Sequence, residues 1–125
     1  MTEVNALAMA LPETVLVLED NFIIAMEAED ILLTLGCRTI VIAATLEEAQ
    51  AAIEATLFDF ALLDVNLGQQ TSFDFAATLK ARGIAFGFVS GYGEDEVFPA
   101  EFRTAPRTLK PFTADSLSSL FFSAG

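Results

Sequence analysis

Five polar side chains of this sequence stand at or directly after the ends of short apolar runs. Glu19 and Asp20 follow TVLVL, Asp64 stands at the end of FDFALLDV, Ser90 closes IAFGFVS, and Lys110 follows RTL. Gathered in one place, they would set three carboxylates against one ammonium, with a hydroxyl beside them. Carboxylates a few ångströms apart repel, and their proton affinities rise unless a cation compensates. Lys110 alone is insufficient. A hard divalent ion fits best: Mg2+ takes oxygen ligands at about 2.0–2.1 Å, keeps several waters, and combines one or two carboxylates with phosphate oxygens. An Asp carboxylate can accept a phosphoryl group, so Asp64 is the candidate nucleophile towards electrophilic phosphorus. Mg2+ and Lys110 would neutralise the transferred group, and the Ser90 hydroxyl would bond one of its oxygens. Gly91, without a side chain, leaves space beside that hydroxyl.

The elements that must position these residues are given by periodicity. Residues 14–18 form a continuous apolar run of the kind a strand buried on both faces requires. A helix is predicted over 21–35, with Ile24, Ala28, Ile31, Leu32 and Leu35 on one face and Gly36 closing it. Strand 38–43 precedes a helix over 45–56, opened by a Thr45-x-x-Glu48 capping box and presenting Leu46, Ala49, Ile53 and Leu57 on one side. Strand 58–65, helix 72–82 stopped by Gly83, and strand 84–90 come next. Residues 91–104 are weakly patterned and broken by Pro99, so any helix there should be short. A brief strand over 107–109 and a helix over 113–122, with Leu117, Leu120 and Phe121 inward, complete the chain. Strands alternating with helices imply an α/β doubly wound, five-stranded parallel sheet with right-handed crossovers. Such sheets bind ligands beyond the carboxyl ends of their strands, where the five polar residues would meet.

Composition narrows the function. The 125 residues suit one domain. Six Lys and Arg against 18 Asp and Glu give a net charge of −12. That surface repels phosphate backbones and anionic lipid, so neither nucleic acid nor a membrane is an expected partner. Without any His, imidazole catalysis and His-ligated metal are excluded on this chain. A single Cys, Cys37, allows neither an internal disulfide nor a thiolate zinc site, and reads as a buried thiol. Residues 1–13 read as a flexible tail and 14–125 as the domain. The tail has no basic segment, and its apolar run over 6–11 is too short for a signal peptide, so a cytoplasmic location is expected. No G-x-G-x-x-G or Walker A sequence opens a helix, which disfavours a nucleotide-binding enzyme. An aspartyl phosphatase would want a second Asp two residues after Asp64, where Asn66 stands.

The segments LVLED (16–20), LLDVNLG (62–68), FVSGYG (88–93) and LKPF (109–112), in this order, resemble the receiver domain of two-component response regulators over nearly the whole chain after the tail. The resemblance implies the flavodoxin-like strand order 2-1-3-4-5 and an acidic pair at Glu19 and Asp20. It implies a phosphoacceptor at Asp64, a backbone-carbonyl metal ligand at Asn66, a phosphoryl-sensing hydroxyl at Ser90, and Lys110 before a usually cis Pro111. Glu19, Asp20, Asp64 and Asn66 would then hold Mg2+. Segments 64–76 and 87–99 are similar, more narrowly, to the FATGUY subgroup of alphaproteobacterial receivers, often single-domain and associated with HWE/HisKA2-type sensor kinases. The resemblance thus implies a phosphoacceptor signalling protein rather than an enzyme, taking its phosphoryl group from a sensor histidine kinase. It would act as phosphate sink, relay intermediate or feedback partner. Three departures stand out: Glu19 where Asp is commoner, Ser90 where Thr is usual, and Arg107 where many receivers carry a switch aromatic. Tyr92 is a candidate substitute for that aromatic.

Plainer readings compete. Asp64 could cap a loop, Glu19 and Asp20 could complement a helix dipole, Ser90 could be a turn hydroxyl, and Lys110 a surface lysine. Phe58, Phe60, Phe73, Phe75, Phe86, Phe88, Phe112, Phe121 and Phe122 are assigned mainly to the core, with the pair Phe121-Phe122 alternatively a partner patch. The second functional reading is a phosphorylation-independent docking module, which Glu19 and Arg107 keep open. Monomer and dimer are both open.

Overall fold

Strand β1 (Thr14–Leu18) is buried from Val15 onward, because helices cover both of its faces and leave no polar side to alternate with. Helix α1 (Phe22–Leu35) begins where the Asn21 side chain accepts hydrogen bonds from the Ile23 and Ile24 amides, at 3.0 and 3.1 Å, so Asn21 is the cap and not the first helical residue. It stops at Gly36, whose φ of 116° is left-handed. Strand β2 (Thr39–Ala43) leads to helix α2 (Leu46–Ala55). There the Thr45 hydroxyl accepts from the Glu48 amide at 3.1 Å, while the Glu48 carboxylate accepts from the Ala44 amide at 2.9 Å. The expected capping box is present, closing one residue earlier than its usual form. The remaining elements are β3 (Phe60–Asp64), β4 (Asn66–Leu67), β5 (Gln70–Thr71), α3 (Phe73–Arg82), β6 (Ala85–Ser90), a 3-10 turn (Ala100–Phe102), β7 (Arg107–Leu109) and α4 (Ala114–Ser123). This computed structural model describes residues 11–91 and 98–123.

The main sheet runs β2-β1-β3-β6-β7, all parallel. Counting only the five strands that the sequence predicts, that is the order 2-1-3-4-5 of a CheY-like, flavodoxin-like fold. β4 and β5 form a separate antiparallel hairpin that the sequence pattern does not predict. Two residues per strand are too few to show a period. On one face of the sheet, Ala28 and Leu32 of α1 and Leu117, Leu120 and Phe121 of α4 pack with Val15, Val17, Phe60 and Leu62. On the other, Ala49 and Ile53 of α2 and Phe75, Ala76 and Leu79 of α3 pack with Leu16, Leu18, Leu63 and Phe88.

Several expectations change. Leu57 lies beyond the end of α2 and is 90% exposed, because the helix turns that would have rotated it inward end at Ala55. The pair Phe121-Phe122 is split: Phe121 is buried and Phe122 is exposed, since neighbouring helix positions do not share a face. Cys37 is buried as expected, and burial pushes its thiol up. Of the expected tail, residues 1–10 lie outside the described residues, while Pro12 is buried and Leu11 packs against the core. Tyr92 also lies outside them. Among the described residues, no helix is long and apolar enough to cross a membrane.

Candidate functional site

β1, β3 and β6 are parallel and adjacent, with Leu18 opposite Leu63 and Asp64 opposite Val89. Their carboxyl ends therefore bring Glu19, Asp64 and Ser90 to one edge. β7 adds Lys110, whose amide donates to the Ser90 carbonyl at 2.9 Å, and the Lys110-Pro111 peptide is cis. An open depression there is lined by Glu19, Asp20, Asn21, Asp64, Asn66 and Lys110, with Gly68 and Gly91 at its rim. Five sequence-derived candidates, Glu19, Asp20, Asp64, Asn66 and Lys110, thus share one mouth. Ser90 is buried at the end of β6 beside it.

The acidic residues are not equivalent. Glu19 and Asp64 are 5% and 4% exposed, whereas Asp20 is open to solvent. Carboxylate oxygens of all three lie within 4.8 Å of one another. The Lys110 amine sits 3.0 Å from Glu19 Oε1 and 3.1 Å from Asp64 Oδ1. The second Glu19 oxygen, Oε2, accepts from the Asn21 amide at 3.1 Å, so both oxygens of Glu19 are engaged. Asn21 is thereby a site residue that sequence reasoning missed: its amide orients Glu19 while its side chain starts α1. An Asn directly before an apolar-periodic run is the signal that marks such a cap.

Electrostatics reflect this crowding. Burial first, and the Glu19 charge second, push Asp64 up to about 7 from the ordinary value of 3.8, against the pull of Lys110. For Lys110, burial alone would lower the amine, but the hydrogen bond to Glu19 and the charge of Asp64 outweigh it and push the amine up. One ammonium does not balance the cluster, and the donor set is hard oxygen with an open approach. Those properties suit a divalent cation such as Mg2+. The buried Ser90 hydroxyl has no hydrogen-bond partner among the described residues, a cost that a ligand oxygen would remove.

No protein-family model matches the chain, and no curated protein matches it. Solved structures do. SdrG from Sphingomonas melonis Fr1 is 36% identical, covering 92% of this chain and 97% of its own at a TM-score of 0.78. SdrG in a BeF3-activated conformation, from Pseudomonas melonis Fr1, is 36% identical over 89% of this chain and 94% of its own, TM-score 0.76. The signal receiver domain of a modulated diguanylate cyclase from Desulfovibrio desulfuricans G20 is 29% identical over 91% and 93%, TM-score 0.78. The chain belongs to the response regulator receiver domains. Receiver domains are signalling proteins rather than classical enzymes, and they bind Mg2+ at an acidic pocket. In this receiver the acidic cluster is Glu19, Asp20 and Asp64.

Proposed function

We propose that this receiver accepts a phosphoryl group on Asp64 from the phospho-His of a sensor histidine kinase. The observation that supports it most is Asp64 itself: a buried carboxylate beside Glu19, within hydrogen-bond reach of Lys110, at an open mouth. In the step, an Asp64 carboxylate oxygen forms a bond to phosphorus while the phosphorus–nitrogen bond to imidazole breaks, leaving an acyl phosphate. Glu19, Asp20 and Asp64, with the Asn66 carbonyl, would hold Mg2+, which when bound would neutralise charge on the phosphoryl oxygens. The Lys110 amine, held by Glu19, stays protonated and faces the phosphoryl oxygens that arrive at Asp64. The Ser90 hydroxyl donates to a phosphoryl oxygen, which gives it the partner it lacks among the described residues. The FATGUY-like segments support a kinase of HWE/HisKA2 type and a cytoplasmic role as phosphate sink, relay or feedback partner.

The test is incubation with acetyl phosphate or a phosphorylated kinase, with and without Mg2+, read by intact mass. One added phosphate in wild type with Mg2+, and none in Asp64→Ala, is the expected result. BeF3, with which SdrG has been activated, should move the Ser90 and Lys110 amide resonances. A second reading, a docking module that works without phosphate, is favoured by Glu19: both its oxygens already have protein partners. No mass gain from any donor, with kinase binding intact, would select it.

A further inference from the structure

β7 is the edge strand of the sheet, only three residues long, and among the described strands it pairs with β6 alone. Yet its end carries Lys110, and Lys110 reaches both the Ser90 carbonyl and the Asp64 carboxylate. So short a ladder leaves an edge strand weakly held, and the structure supplies a second attachment. The Arg107 guanidinium lies over the Phe98 ring, 4.1 Å from its centroid, and its Nη2 donates to the Arg103 carbonyl at 2.9 Å. Phe98 is 2% exposed and is itself wedged edge-on against Phe88 and Phe73, at 5.2 and 5.1 Å. A planar guanidinium can lie flat on a ring while directing its in-plane N–H groups to other acceptors, a geometry a lysine ammonium does not offer.

We propose that Arg107 is a positioning residue for the phosphoacceptor site: stacked on Phe98 and bonded to the Arg103 carbonyl, it clamps β7 and so holds Lys110 and Ser90 in register. The clamp's consequence for phosphoryl transfer rests on the proposed function; its consequence for geometry does not.

The test compares Arg107→Met, which keeps the apolar stem, with Arg107→Lys, Phe98→Leu and the double variant Arg107→Met/Phe98→Leu. Without any phosphate donor, each should shift the Ser90 and Lys110 amide resonances, and the double variant should shift them no further than either single change. With acetyl phosphate at saturating Mg2+, the Arg107→Met rate should fall about tenfold, short of the roughly hundredfold that a misplacement of about 1 Å costs, while half-saturating Mg2+ moves less than about twofold because Glu19 and Asp20 follow β1 and Asp64 ends β3, away from β7. Shifts confined to residues 98–108, or additive effects in the double variant, would overturn the clamp. If wild type takes up no phosphate, the proposed function fails, and the amide shifts still decide the clamp.

Discussion

The two flanks of the acidic mouth are built on opposite principles. Beneath and beside β6 and β7, Phe73, Phe86, Phe88, Phe98 and Phe102 interlock through tilted, stacked and edge-on contacts at 5.1 to 6.1 Å. Each ring there is met by other rings, and aromatic pairs add about 0.5–1.5 kcal/mol beyond burial. At the mouth itself, Glu19 and Asp64 are buried as like charges sharing one ammonium, and the Ser90 hydroxyl has no partner among the described residues. The aromatic flank surrounds the 3-10 turn over Ala100–Phe102, where large rings fill the volume beside a short, irregular stretch of backbone. The difference teaches that stability and function are spatially divided. One region is saturated, and its neighbour is left short of a cation.

If that division is correct, changes on the two sides should fail in opposite ways. Asp64→Asn should abolish phosphate uptake completely, read by intact mass, yet should not lower the melting temperature at pH 8 without metal. Phe88→Ala should do the reverse. It should cost about 3–5 kcal/mol in urea unfolding, the usual loss for an aromatic in a packed core, because Phe88 is fully buried and packs against Phe73, Phe86, Phe98 and Phe102. Lys110→Met should cost less, about 1–3 kcal/mol, since it strips Glu19 and Asp64 of their shared partner. It should also raise Asp64 further and slow phosphate uptake.

The pH dependence sharpens the contrast. Asp64 is raised from 3.8 to about 7, so between those values the folded chain holds a proton that the unfolded chain releases. Stability from this group is therefore fully present below about pH 4 and is lost as pH rises to about 7. Thermal scans without metal should show the difference between wild type and Asp64→Asn growing over that window and flat above it. At the small end, Leu57→Ser should change stability by no more than about 0.5 kcal/mol, because Leu57 is 90% exposed.

The site was legible largely because parallel strands deliver their carboxyl ends to one edge. Once 14–18, 58–65, 84–90 and 107–109 read as strands, the polar residue after each had only one place to go. The helix boundaries at Thr45, Gly36 and Gly83 were equally readable, because these residues act on backbone groups within four residues of themselves; Asn21, read as the first helical residue, proves to be the cap. What could not be read is whatever depends on residues far apart. That Asp20 stays in solvent while Glu19 and Asp64 are buried depends on how separate strand ends pack together, not on the residues beside each of them in sequence. The elevation of Asp64 comes from burial and from the charge of Glu19, which belongs to a different strand end. Phe121 and Phe122 part company only because one face of α4 meets the sheet, and Arg107 meets Phe98 only because the chain folds back along β6. Local hydrogen bonds and periodicity are written in adjacent residues; dielectric, charge pairing and ring stacking act through space, and space is assigned by the fold.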